Sequence, residues 1–246
     1  MKAVLLIGGT DSSGGAGLAR DIATVTELGL HPLCALTAVT AQSDRALHQS
    51  AHLPAPLVRA QIEAACATRP PAAIKIGMLG EAAIVRAVAE ASVSWGGAPV
   101  VLDPVLRSSS GGELLDAGGL EVLRRELLPR LALLTPNLAE AAALLGCAPA
   151  SGVAEMTRQA VALGALGAPA VLLKGGHLGG LQAIDVLWRA GAHAVPLLAP
   201  RLAGEWRGTG CTLASAIAVQ LAQGVELSLA CQHAKHYLTQ RLQRRD

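Results

Sequence analysis

The chain of 246 residues contains no phenylalanine, one tyrosine, three tryptophans and three methionines. Single-stranded nucleic acid needs aromatic platforms for its bases, and a duplex needs concentrated basic surface. Here 20 Lys and Arg face 18 Asp and Glu, a net charge of only +2, so no nucleic-acid partner is expected. Long apolar runs are also missing. Val4 to Ile7 is broken at once by Gly8-Gly9, too short for a signal segment or a membrane span, and no membrane partner is expected. The five cysteines, at 34, 66, 147, 211 and 231, are odd in number and never fall in a CxxC spacing. That usage suits a reduced, cytoplasmic compartment. The glycine-rich stretch Gly8 to Gly17 has neither the Gly-Lys-Ser/Thr of a Walker A loop nor GxGxxG, which argues against a P-loop enzyme and a nicotinamide-dependent oxidoreductase.

What is present is a core made of small and aliphatic side chains, 52% hydrophobic residues in all. Apolar runs of strand length alternate with segments of helical period. Ala3 to Ile7, Cys34 to Val39, Ala73 to Ile76, Pro99 to Leu102, Leu131 to Leu134 and Ala170 to Leu173 read as buried strands. Ala16 to Leu28, Pro56 to Ala67, Glu81 to Val93, Gly119 to Leu127, Leu138 to Leu145 and Ala154 to Leu166 read as helices. Strands apolar on both faces predict a three-layer α/β/α sandwich with a mostly parallel central sheet, with Asp185 to Leu187 and Ala194 to Leu198 as a late antiparallel edge pair. No repeat or linker interrupts the chain, so 1–246 is expected to be one domain.

In such sheets ligands sit beyond the carboxyl ends of the strands, and each strand here ends in a polar or glycine-rich step. After the first, Asp11 either hydrogen-bonds a polar substrate or caps a helix. After the second, Gln42 can donate and accept at once, which suits the N–C–N edge of an aminopyrimidine, or it is a solvated loop residue. Met78 offers a thioether to a flat ring, or fills core. Asp103 ends a wholly apolar strand in a carboxylate, a costly placement that favours a functional role. The segment Leu106 to Gly112 is small and polar enough to serve as a lid. Asn137 is placed to cap a helix, with Glu140 three residues on either closing a capping box or reaching a magnesium ion through water. Lys174, beside two glycines, presents an ammonium group to phosphate.

Arg207-Gly208-Thr209-Gly210-Cys211 precedes a run of helix formers, Leu213 to Leu221. The Gly-Thr-Gly turn is expected to expose backbone N–H groups as an anion hole at a helix start, and Cys211 at its mouth is expected to be pushed toward thiolate. The alternative is a capped turn with an inert cysteine.

Taken together, Gly9-Thr10-Asp11-Ser12-Ser13-Gly14-Gly15-Ala16-Gly17, Lys75-Ile76-Gly77-Met78-Leu79, Leu102-Asp103-Pro104-Val105, Thr135-Pro136-Asn137-Leu138-Ala139-Glu140, Leu173-Lys174-Gly175-Gly176-His177 and Gly208-Thr209-Gly210-Cys211-Thr212-Leu213 resemble the hydroxymethylpyrimidine/phosphomethylpyrimidine kinases of thiamin biosynthesis, within the ribokinase-like superfamily. The resemblance implies ATP- and magnesium-dependent phosphorylation of 4-amino-5-hydroxymethyl-2-methylpyrimidine and then of its monophosphate. It implies that Gln42 binds the pyrimidine edge near Asp11, with Gly9, Val39 and Met78 lining the ring. Asp103 and Glu140 would organise magnesium, and Lys174, with Asn137, Glu140 and Thr209, would meet the nucleotide. Gly208, Thr209 and Gly210 would hold the moving phosphoryl group, with Cys211 facing the accepting oxygen. A homodimer is also implied. Many sugar kinases of the superfamily carry Asp in place of Cys211; a thiol that stays neutral avoids repelling a substrate that already bears about two negative charges. Arg207 stands where the family commonly has His, and reads as a solvated flank, with a bidentate phosphate contact as the alternative. A pyridoxal, pyridoxine or pyridoxamine kinase and a catalytically silent ligand-binding relative are the competing readings.

Overall fold

A computed structural model describes residues 1–107, 114–176, 178–204 and 206–244. The chain begins with β1 (Ala3–Gly8), α1 (Gly17–Glu27) and β2 (His31–Leu36), followed by a hairpin of β3 (Ala38–Gln42) and β4 (Leu47–His52). Then come α2 (Ala55–Thr68), β5 (Ala73–Ile76), α3 (Ala82–Ala91), β6 (Val100–Leu102) and α4 (Ala117–Val122), which runs on through a π-helical turn, Leu123–Leu127. The second half supplies β7 (Leu133–Leu134), α5 (Leu138–Leu145), α6 (Val153–Ala165), β8 (Ala170–Lys174), β9 (Gln182–Arg189), β10 (Val195–Pro200), α7 (Thr209–Gln223) and α8 (Leu227–Gln243).

Eight strands form one sheet in the order β10-β9-β8-β7-β6-β5-β1-β2. The strands from β2 to β8 in that order are parallel, and β9 is antiparallel to both its neighbours, as the edge-pair expectation had it. The period of two along β1 divides the core. Leu5 and Ile7 pack on one face among residues of α2 to α6, while Val4 and Leu6 pack on the other with α1, α7 and α8. All six residues of β1 are buried, which explains its uninterrupted apolar run. The chain leaves β1 in one direction to reach β2 and later returns on its other side as β5, so a topological switch point lies between β1 and β5.

Two expectations need correction. The run from Cys34 to Val39 is not one strand: β2 leaves the main sheet at Leu36, and Thr37 turns the chain into the hairpin, donating its hydroxyl to the Met78 carbonyl at 2.7 Å. Gly208-Thr209-Gly210 is not a turn ahead of the helix, because α7 starts at Thr209 and these residues are its N-cap and first two positions. The expected lid falls largely on 108–112, outside the described residues, as does His177.

Candidate active site

The carboxyl ends of β6 and β8, two of the six parallel strands, bring Asp103 and Lys174 to the start of α7. Gly208 caps that helix at φ +70°, a left-handed conformation suited to glycine, and a Cβ there would run into the Gly15 carbonyl oxygen. The bond from Thr212 N to Gly208 O at 2.9 Å opens the α7 ladder, so the N–H groups of Thr209, Gly210 and Cys211 head the helix as orphan donors. That end of α7 faces a charged cluster. A Cβ on Gly210 would sit 3.1 Å from Lys174 Nζ and 3.3 Å from Asp103 Oδ2, so the missing side chain is what lets the helix backbone approach both groups.

Lys174 Nζ donates to Asp103 Oδ1 at 2.6 Å and lies 4.0 Å from Glu140 Oε2. Burial opposes its charge, but Asp103 and then Glu140 hold it above the ordinary lysine range. Glu140 closes a capping box with Asn137: Asn137 N donates to Glu140 Oε2 at 2.7 Å, and Glu140 N donates to Asn137 Oδ1 at 2.9 Å. Burial pushes the Glu140 carboxyl up to about 7, with Lys174 pulling down and Asp103 pushing up. One ammonium facing two carboxylates leaves one negative charge in excess. Among the described residues no group of three or more His, Cys, Asp and Glu is placed to hold a metal. Asp103 and Glu140 nonetheless supply the hard oxygen donors that suit a cation which keeps waters and takes its other ligands from phosphate.

Cys211 is half-buried. The expectation of a thiolate is corrected. Burial pushes the thiol up to about 11 despite the nearby Lys75 ammonium, with Asp21 and Asp103 adding to the rise. Below the sulfur, Lys75 Nζ donates to Asp21 Oδ2 at 2.7 Å with both side chains 1% exposed, and Ser215 donates to Asp21 Oδ1 at 2.8 Å. Lys75 is held above its ordinary range; burial works against it, and the Asp21 carboxylate wins. The sequence reading missed this triad because its members lie on β5, α1 and α7.

A separate small cluster is apolar. Met78, Ala38 and Leu114 form a small buried cluster flanked by Leu47 and Val105, and a Cβ on Gly9 would lie 2.9 Å from Met78 Sδ. Gly9 and Met78 therefore meet as expected. Gln42 stands at the end of β3 beside a register shift, and its main chain is clasped by Ser12: Gln42 N donates to Ser12 Oγ at 2.7 Å, and Ser12 Oγ donates to Gln42 O at 2.8 Å. Val39 lies on the other side of the strand from Ala38. Alternation along β3 buries Ala38 and Thr40 and turns Val39 to the opposite face, where it is 48% exposed. Asp11 is not a helix cap, since α1 is capped by Ala16 with no side-chain bond. Its Oδ1 accepts from Ser13 N at 2.9 Å and Ser13 Oγ at 2.8 Å. Nor is Arg207 a solvated flank: its guanidinium reaches Asp11, Ser13, Ser43 and Asp44.

A mostly parallel sheet whose strand ends carry Lys174 and Asp103, with Glu140 in the first turn of α5, against the amino end of a helix and with a small apolar cluster alongside, defines a ribokinase-like small-molecule kinase. The comparisons with known proteins carry this further. A family model described as phosphomethylpyrimidine kinase matches residues 11–246. A hydroxymethylpyrimidine/phosphomethylpyrimidine kinase of Rhizobium meliloti is 43% identical over 242 residues, 97% of this chain and 90% of that one. The crystal structure of a phosphomethylpyrimidine kinase from Clostridium difficile superimposes with a TM-score of 0.84 at 34% identity, covering 98% of this chain and 100% of the other. Pyridoxal kinase from Staphylococcus aureus in complex with AMP-PCP and pyridoxal gives a TM-score of 0.88 at 30% identity, over 97% and 86% of the two chains. The chain belongs to the phosphomethylpyrimidine kinase family.

Proposed function

We propose that this kinase transfers the γ-phosphoryl group of ATP to the hydroxymethyl oxygen of 4-amino-5-hydroxymethyl-2-methylpyrimidine, and then a second phosphoryl group to the resulting monophosphate, in thiamin biosynthesis. The observation that carries the reading is the approach of Gly210 to the 2.6 Å Lys174–Asp103 pair, which puts orphan helix N–H groups and an ammonium around one point. A loose phosphoryl-transfer transition state spreads charge over the moving oxygens and needs this kind of fixed positive environment more than covalent help.

The placement of the side chains supports the following roles. Gly9, Met78 and Val39 line the ring in this proposal, with Gln42 on its polar edge and Asp11 holding the adjoining loop. Gly208, Thr209 and Gly210 receive the moving group. Lys174 neutralises the phosphates, and Thr209 and Asn137 border the same space. Asp103 and Glu140 would hold Mg²⁺ through oxygen and water, and the cation would supply charge neutralisation on the phosphates. The hydroxymethyl oxygen forms its bond to the γ-phosphorus as the bond from that phosphorus to the bridging oxygen of ADP breaks. Cys211, as a neutral thiol, orients the hydroxyl, whose proton leaves on the new phosphate ester.

The same proposal takes residues 1–246 as one catalytic domain acting in the cytoplasm as a homodimer. No described helix is long and apolar enough to cross a membrane. Val195 and Leu198 on edge strand β10 offer apolar surface for a second copy, and light scattering on the purified chain tests the dimer. A coupled ADP-release assay with the pyrimidine alcohol, its monophosphate and pyridoxal offered separately tests the activity. Turnover of both pyrimidines with magnesium dependence is expected. Turnover of pyridoxal alone would transfer the assignment to the second reading, which the close superposition on pyridoxal kinase keeps in view.

A further inference from the structure

Arg207 lies immediately before the helix cap Gly208, and its guanidinium joins segments that are far apart in sequence. Nη2 donates to Asp11 Oδ2 at 2.9 Å, while Nη1 donates to Ser13 Oγ at 2.9 Å, to the Ser43 carbonyl at 2.9 Å and to Asp44 Oδ1 at 2.8 Å. The side chain is 18% exposed, and its planar fork is what allows bonds in several directions at once. Asp11 is buried and has its other oxygen folded back on Ser13, so Arg207 is the cation that compensates it. Ser12 clasps Gln42 in the same place. The glycine-rich loop, the end of β3 and the start of α7 therefore converge on one side chain.

The two halves of the proposed reaction are carried by different parts of this junction. The loop and the β3 end hold the acceptor, and the residues after Arg207 hold the phosphoryl group. Nothing covalent sets the distance between them, yet a displacement of about 1 Å between reacting groups can cost on the order of a hundredfold in rate. We propose that Arg207 is a positioning residue which rivets the acceptor half of the site to the phosphoryl-holding turn of α7, without itself contacting either substrate. This rests on the acceptor site described above.

The test compares Arg207→Ala and Arg207→Lys with wild type in the full chain. With the pyrimidine alcohol, the kcat of Arg207→Ala is expected to fall by about tenfold or more, with a rise in its KM, while the KM for ATP stays within about twofold. The monophosphate should be affected to the same extent. Arg207→Lys should fall between, since one ammonium cannot span the four acceptors. Without any substrate, amide hydrogen exchange of 11–15 and 42–44 should quicken in Arg207→Ala while that of β1 does not change. Asp44→Asn, on an 80% exposed side chain, provides a milder version should Arg207→Ala not fold: faster exchange at 42–44 and a smaller fall in kcat. Unchanged kcat, KM and exchange would overturn the proposal. A loss confined to the monophosphate would overturn it too, by making Arg207 a phosphate contact. If wild type itself ignored the pyrimidine alcohol, the acceptor assignment would fall, and the exchange comparison would still judge the clasp.

Discussion

A thiol at the third position of a helix meets two opposing influences. The dipole of α7 and the ammonium of Lys75 favour thiolate, whereas removal from water favours the neutral form, and for Cys211 burial prevails, pushing the group to about 11. Peptide-resolved alkylation with iodoacetamide should therefore show Cys211 modification still climbing about tenfold per pH unit between 8 and 9.5. A plateau below pH 8 would reveal a thiolate at neutrality. Neutrality has a use when the acceptor already carries phosphate. Cys211→Asp should keep alcohol turnover within about tenfold of wild type and lose about a hundredfold or more on the monophosphate, because a fixed carboxylate repels it. Equal losses on both substrates, read by the coupled assay, would remove the charge argument. Beneath this sulfur, the Lys75–Asp21 pair is completely enclosed. Lys75→Met strands a buried carboxylate and should cost about 3–5 kcal/mol in urea unfolding, while Lys75→Met with Asp21→Leu should recover much of that.

At the scale of elements, helices and strands meet where small residues permit it. Gly164 of α6 lies against the indole of Trp188 on β9, and a Cβ there would overlap the ring. Helix propensity favours Gly164→Ala by about 1 kcal/mol, and overpacking opposes it by about 1–3 kcal/mol. Net destabilisation is expected, and a rise in the urea midpoint would show that the indole slides aside freely. The same scale explains what could be read beforehand. β1, β5, β8 and α5 were legible because the strands are short apolar runs, interrupted only by Lys75 in β5 and closed by Lys174 in β8, and α5 carries its own punctuation in Asn137 and Glu140. β4 was not: Leu47-His48-Gln49-Ser50-Ala51-His52 has five exposed residues and no buried alternate, so no period of two exists to find. Lys174 and Asp103 were singled out from strand ends, and Glu140 from its place three residues after the cap Asn137. The work of Arg207 was not, because its partners lie as many as 196 positions away and no local pattern encodes them.

For the whole molecule, the site belongs to neither layer alone. The start of α7 comes from the helices on one face of the sheet, and the capping box of α5 from those on the other, so charge at the sheet's end is felt by both packed layers. Glu140 makes this measurable. Its ordinary value is 4.5, and burial raises it to about 7 in the folded chain. A raised folded value means that the stability linked to this group is complete below about pH 4.5 and is lost as pH climbs through 7, since the folded state then has to bury the ionised carboxyl. Glutamine at 140 can still close a capping box. Glu140→Gln should therefore match the wild type near pH 5 and exceed it at pH 8, by on the order of 1–3 kcal/mol in urea unfolding without nucleotide or magnesium. Adding both ligands should narrow the gap at pH 8, because only the wild type gains an oppositely charged partner for its carboxylate. Parallel pH profiles for the two proteins would mean that Lys174 alone already balances Glu140, and the excess negative charge assigned to the strand ends would then be absent.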